Sequence, residues 1–262
     1  MNIYARNIAV FKENRALAYS NRFKRATETM VKDTKVYKSP LKCKTKDVLG
    51  DCEVIFDKND TISSIIYLTR RGFKVCALNF ADAITPGGLV YQGEVTQEED
   101  LCRCSNLYES LVKDDCIENY YKYNRVTGTS KYSDRVIYSK GVTILRESLN
   151  YTLLSKPLKC DIVTCPAPIV YSDVNDYYKV ITNRIRGILK VVSSHNVNAI
   201  VLGAWGCGAF GGDARIVGKA FAEVIREFTN FDLVVFSVKS TRNDSKDNLS
   251  LLRVGFDSYL SR

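Results

Sequence analysis

The run Gln97-Glu98-Glu99-Asp100 is the part of this sequence best equipped for chemistry. It follows an apolar, strand-like stretch ending at Leu78-Asn79-Phe80 and a loop containing Pro86-Gly87-Gly88. Adjacent carboxylates beside a concave surface can divide labour, one holding hydroxyls while the other carries a proton. Paired glycines let a backbone approach a ligand closely and adopt φ angles other residues avoid. A second segment, Leu202-Gly203-Ala204-Trp205-Gly206-Cys207-Gly208-Ala209-Phe210-Gly211-Gly212-Asp213, joins another apolar run to an amphipathic one. Its glycines expose backbone N–H groups just ahead of a helix N-terminus, an arrangement that cradles phosphate or diphosphate. No Gly-Lys-Ser/Thr follows, so it is not a Walker A loop, and it comes too late in the chain for a dinucleotide fingerprint.

Both segments also admit plainer readings. Thr96-Gln97-Glu98-Glu99 fits a capping box, with Glu99 bonding back to the residue that caps the helix. Acidic residues in a first turn suit the helix macrodipole. Against a purely structural role, Glu98 shares a helix face with Leu101, with Cys104 or Ser105, and with Tyr108, and that face should point inward. The second loop could be a tight strand-to-helix connection, with Phe210 either a core anchor or a surface lying against a ribose or base.

The elements that must position these loops alternate in type. Residues 5 to 40 carry apolar positions at helical spacing, and Ser39-Pro40 ends that region. Strand-like runs fall at Val54-Ile55-Phe56, Phe73 to Phe80, Arg135 to Tyr138, Val142 to Leu145, Ile162 to Cys165, Ala199 to Leu202 and Leu233 to Val238. Helical patterns fall at Ser63 to Thr69, Gln97 to Val112, Val174 to Ser193 and Asp213 to Phe228. Residues 114 to 134, polar and rich in tyrosine, read as a surface excursion. Near-continuous apolar strands alternating with helices predict an α/β sandwich around a largely parallel or mixed sheet. Ligands of such sheets bind beyond the carboxyl ends of the strands, where both glycine loops lie. No repeat or low-complexity linker divides residues 1–262, so a single domain is expected.

Composition narrows the classes. Of 262 residues, 45% are hydrophobic and 26% charged, which is enough to build a core. No apolar stretch approaches the ~20 residues that cross a bilayer. The first fourteen residues lack a signal peptide's apolar run. The expectation is therefore an intracellular protein without membrane partners, cytoplasmic or, in a eukaryote, nuclear. Nine cysteines cannot all pair within one chain. With no C-x-x-C and a single histidine, His195, no zinc pattern is present and no metal is expected. A net charge of +9, with lysines clustering from Lys32 to Lys46, favours polyanionic partners.

Taken together, the two loops resemble those of the bacterial-type poly(ADP-ribose) glycohydrolases, a branch of the macrodomain superfamily. That family's signature is a triple glycine followed, six to eight residues on, by Gln-Glu-Glu. Here it reads Gly87-Gly88-Leu89 and then Gln97-Glu98-Glu99. The resemblance is strongest over 78–111 and 201–221. It implies a macrodomain-like three-layer α/β/α sandwich around a mixed sheet, with an N-terminal helical extension over residues 1–40. It implies hydrolysis of ribose–ribose O-glycosidic bonds in poly(ADP-ribose), exo-acting and releasing ADP-ribose, without a cofactor, by a monomer. Poly(ADP-ribose) and ADP-ribosylated proteins would be its partners. Glu99 would be the catalytic acid and Glu98 would hold the ribose hydroxyls. Gln97, Gly87 and Gly88 would line the site, and Asn79 would order the loop. Gly206, Cys207, Gly208, Ala209 and Gly211 would bind the diphosphate, with Phe210 packing beside the ligand. Leu89 departs from the third glycine. A requirement there for glycine's torsion or for close ligand approach would weaken turnover and favour a non-catalytic ADP-ribose-binding module; a hydrolase of mono-ADP-ribosylated substrates is a second alternative.

Overall fold

The computed structural model describes residues 2–38, 52–239 and 247–261. The boundary expected at Ser39-Pro40, and half of the lysine cluster, lie outside them. The described residues form a seven-stranded mixed sheet. Its strands are β1 (Lys35–Tyr37), β2 (Glu53–Asp57), β3 (Val75–Phe80), β4 (Val136–Arg146), β5 (Leu153–Cys165), β6 (Ala199–Leu202) and β7 (Leu233–Ser237), in the order β1-β4-β5-β3-β6-β7-β2. From β5 to β2 all neighbours run parallel; β4 and β1 add an antiparallel edge. The central strands β3 and β6 are apolar apart from Asn79 because helices cover both faces.

On one face lie α1 (Ile3–Ala18), α2 (Lys24–Asp33), α3 (Thr61–Arg70), α4 (Gln97–Cys104), α5 (Leu107–Leu111), α6 (Asp114–Cys116) and α7 (Lys122–Thr127). Their core includes Phe11, Met30, Ile65, Leu101 and Leu107. On the other lie α8 (Val174–Ser193), α9 (Ala214–Ile225) and α10 (Asn248–Leu260), around Ile181, Ile188, Phe221 and Phe256. The result is a three-layer α/β/α sandwich.

Four elements differ from the sequence reading. The N-terminal extension is not wholly helical: residues 35–37 turn extended and pair with Val136–Tyr138 at the sheet edge. The helix expected from 97 to 112 breaks at Ser105, which is extended (φ −143°, ψ 176°) and bridges to Ile144. Asn106 fixes that break, its Oδ1 accepting from Thr143 N–H (2.8 Å) and its Nδ2 donating to Thr27 Oγ1 (3.0 Å). Serine and asparagine readily trade helical bonds for such contacts. The 135–145 region is one strand with a bulge, not two. Residues 114–134 are a surface excursion only in their second half: 125–131 are exposed, but a π-helical turn over Ile117–Tyr121 buries Tyr120 and Tyr121 completely.

Candidate active site

Both glycine loops open at the carboxyl-terminal rim of the sheet, one after β3 and the other after β6. They line a single cavity of about 430 Å³, which Glu98, Glu99, Gly88 and Leu89 enter from one side and Ala204, Gly206, Gly208, Ala209 and Phe210 from the other. Asp82, Glu94, Thr96, Phe80 and Ala167 complete its wall.

The first loop is held to the strand by α4. Gln97 Oε1 accepts from Phe80 N–H (2.9 Å), and its Nε2 donates to Leu78 O (2.8 Å) and Thr61 Oγ1 (3.1 Å). Gln97 borders the cavity, but its amide is spent on protein. It works as a strut between the strand end and the helix start. Glu98 follows and is almost completely buried. It accepts from Asn79 Nδ2 (3.0 Å) and from Asp82 N–H (2.7 Å), so Asn79 does tie strand to loop. Burial pushes the Glu98 carboxyl well above the usual carboxylate range; those two hydrogen bonds oppose the shift, and the neighbouring Glu99 charge adds to it.

Glu99, also buried, accepts from Leu89 N–H (2.8 Å) through Oε1 and from the Thr96 hydroxyl through Oε2. The capping-box reading therefore fails in its essential bond. Thr96 makes no side-chain cap, and Glu99 takes the hydroxyl and the loop amide rather than the Thr96 N–H. Gly88 permits this approach: it sits at φ +57°, and a Cβ there would lie 2.4 Å from Glu99 Oε1. Leu89 needs no such licence. At φ −97°, ψ 32° any residue is comfortable, and what it offers Glu99 is its backbone N–H. Its side chain, half-exposed, lies at the cavity wall.

The second loop is pinned by Trp205, fully buried, whose Nε1 donates to Cys165 O (3.2 Å). Gly206, at φ +79°, leaves room for Ala167, which a Cβ would meet at 2.7 Å. The N–H groups of Cys207, Gly211 and Gly212 close turns onto Ala204, Gly208 and Gly206 carbonyls. Those of Gly206, Gly208, Ala209 and Phe210 donate to no acceptor among the described residues, and these four residues face the cavity. Unpaired amides on one concave wall form an anion-binding nest. Asp213 caps α9 directly behind it, accepting from Arg215 N–H (2.8 Å).

Of the residues expected at the site, Asn79, Gly87, Cys207 and Gly211 do not line the cavity. Asn79 is fully buried with its amide on Glu98 and Thr164, Gly87 faces the Tyr108 ring, and Cys207 and Gly211 spend their amides on the turn. Phe210 does reach the wall, half-buried, with its ring 6.1 Å from that of Tyr132. Sequence reasoning overlooked Asp82 and Tyr132. The Asp82 backbone N–H serves Glu98, a role with no sequence signal. Tyr132 holds φ +53°, which a tyrosine adopts only under tertiary constraint. Among the described residues no three His, Cys, Asp or Glu side chains cluster as metal ligands.

Glu98 makes stability depend on pH. Its folded pKa lies above the unfolded value, so its contribution is whole below the unfolded carboxyl range and is lost as pH rises through the folded pKa. Relative to Glu98→Gln, the wild type should lose stability as pH rises above the ordinary carboxyl range. Urea midpoints of the two proteins at successively higher pH check this, and parallel profiles would refute it.

A three-layer α/β/α sandwich carrying carboxylates and an amide nest on one rim is a macrodomain-type scaffold. The chain belongs to the microbial-type poly(ADP-ribose) glycohydrolases: the model of the family's catalytic domain, "Microbial-type PARG, catalytic domain", matches residues 3–147, more than half of it. The poly(ADP-ribose) glycohydrolase of Thermomonospora curvata, solved with the inhibitor ADP-HPD, is 29% identical over 96% of this chain and 97% of its own, with a TM-score of 0.80. The Deinococcus radiodurans enzyme, solved in complex with ADP-ribose, is 30% identical over 88% of this chain and 97% of its own, with a TM-score of 0.77. No curated protein sequence matches the chain significantly.

Proposed function

We propose that the protein hydrolyses the ribose–ribose O-glycosidic bonds of poly(ADP-ribose), with Glu99 as general acid and then general base. The observation that carries this reading is that Glu99 and four unpaired backbone amides border the same cavity. The amides suit a diphosphate, and a volume near 430 Å³ suits one nucleotide-sized unit. Protonated Glu99 gives its proton to the leaving ribose oxygen as the C1–O bond breaks. An oxocarbenium-like ribose forms, stabilised by the adjoining diphosphate charge. Water then adds to C1, and Glu99 takes its proton, returning to the starting form. Glu98, fixed by Asn79 and Asp82, is placed to hold ribose hydroxyls.

In this reading the whole chain is one catalytic unit, monomeric and intracellular. No described helix is long and apolar enough to cross a membrane, and the buried Cys76, Cys102, Cys104, Cys116, Cys160 and Cys165 keep free thiols, as in a reducing compartment. Exo action extends the family resemblance: products leave as ADP-ribose from chain ends.

Incubation with poly(ADP-ribose), followed by chromatography of early products, tests this. Monomeric ADP-ribose without intermediate oligomers supports it. Oligomers would replace exo by endo action. Tight ADP-ribose binding with no product would make the protein a binding module, and activity confined to ADP-ribosylated protein would make it a mono-ADP-ribose hydrolase. The feature that favoured the binding module, Leu89, loses its force at an ordinary φ. Leu89→Gly is accordingly expected to leave polymer turnover unchanged while costing about 0.5–1 kcal/mol of stability through chain entropy. Initial rates and urea midpoints check both, and a marked gain in rate would show that the leucine side chain obstructs the site.

A further inference from the structure

The opposite rim of the sheet, where β3 and β6 begin, holds a second cavity of about 360 Å³, bordered by Lys74, Lys140, Lys159, Asp161, His195 and Phe73 among others. Its three lysines are brought together by the backbone. Lys74 immediately precedes β3. Lys159 and Asp161 stand two apart on β5 and so share a face. Lys140 owes its place to the β4 bulge, where register shifts between Ser139 and Val142 and two residues, Lys140 and Gly141, oppose Asp161. Gly141 takes φ +71° there, and its N–H donates to Asp161 Oδ1 (2.8 Å).

The charges in this cavity are unevenly satisfied. Lys24, Lys122 and Lys131 pair with carboxylates elsewhere, and Lys113 bonds backbone carbonyls. The ammonium groups of Lys74, Lys140 and Lys159 have no such partner among the described residues. The one carboxylate present is already occupied, Oδ2 by Tyr138 Oη (2.5 Å) and Oδ1 by Gly141 N–H. Beside it His195 is immobilised, stacked on Tyr138 at 3.7 Å and held through Nε2 by Tyr37 Oη (3.1 Å). Three free ammoniums against one engaged carboxylate leave a net charge of +2 in a preformed hollow. That matches a group bearing two negative charges on neighbouring oxygens.

We propose that this cavity is a second anion site, which takes a diphosphate linkage of poly(ADP-ribose) several units away from the bond being cleaved. The assignment rests on the polymer reading of the active site. The five-residue rise of β3 separates the two rims by about 17 Å of strand. A polymer of several units is needed to engage both, whereas the shortest substrates meet the active site alone.

The variant Lys74→Gln/Lys140→Gln/Lys159→Gln tests this, since all three side chains are exposed and none touches the catalytic rim. Long poly(ADP-ribose) should bind it about tenfold more weakly at low salt, with a salt slope about 1.4 smaller, as expected when the two phosphates of one diphosphate on a single strand lose their partners. ADP-ribose affinity and the rate on the shortest oligomer should stay the same. Inorganic pyrophosphate should shift the amide resonances of His195 and Asn196 in the wild type and not in the variant. Unchanged polymer affinity and salt slope overturn the proposal. If pyrophosphate shifts are lost while polymer binding persists, the cavity takes a free phosphate compound and the polymer assignment falls. Every readout is of binding or of a ratio between substrates, so failure of the catalytic reading would show separately, as absent product with the binding differences intact.

Discussion

Glu99→Gln is expected to lower poly(ADP-ribose) hydrolysis by about 10²–10⁴-fold, the usual worth of a positioned general acid. Glutamine keeps the side chain's shape and an oxygen for the Leu89 N–H, which now reaches Glu99 Oε1 at 2.8 Å. Its NH₂ can donate to the Thr96 oxygen that at present gives its proton to the carboxylate. The local geometry therefore survives while the transferable proton is gone. ADP-ribose affinity should be retained, because the amides of Gly206, Gly208, Ala209 and Phe210 lie on the opposite wall and owe nothing to residue 99. Initial rates on polymer, with calorimetric titration of ADP-ribose, separate the two effects. Near-normal turnover in this variant would remove Glu99 from the chemistry. Equal loss of rate and affinity would recast it as a binding group.

What was legible in the sequence is what strand ends and glycines announce locally. Asn79, Glu98 and Glu99 stood out because polar side chains after a continuous apolar strand must emerge at the sheet rim, where such folds bind ligands. The amide nest was legible because so many glycines just ahead of a helix offer more free N–H groups than a connection needs. What escaped depends on partners far away in sequence. The helix break at Ser105 is decided by Asn106 reaching Thr143 and Thr27. Strand β1 forms by pairing Lys35–Tyr37 with Val136–Tyr138, a partner about a hundred residues away. Tyr120 and Tyr121 are buried by a π-helical turn that no apolar periodicity signals. Gln97 shows the same limit within the site: the family signature places it there, and only its three hydrogen bonds reveal a strut.

Gly88→Ala should disable the enzyme by displacing a carboxylate without altering any ionisable group. The new Cβ would fall 2.4 Å from Glu99 Oε1, closer than such atoms can coexist, and 3.3 Å from Glu98 Oε2, a tight contact. Glu99 must then swing away, giving up the Leu89 N–H. A displacement near 1 Å at a reacting group costs about 10²-fold in rate. A left-handed residue with a Cβ also costs about 1–2 kcal/mol of stability, which alone could depress activity through unfolding. Gly72→Ala isolates that contribution. Gly72 holds φ +90° in the turn after α3, and a Cβ there meets nothing within 4 Å. Both variants should melt earlier than the wild type, and only Gly88→Ala should lose kcat at a temperature where both remain folded. Equal kcat in the two would mean that the Glu99 carboxylate tolerates displacement, and the tight fit between glycine and carboxylate would then have no catalytic meaning.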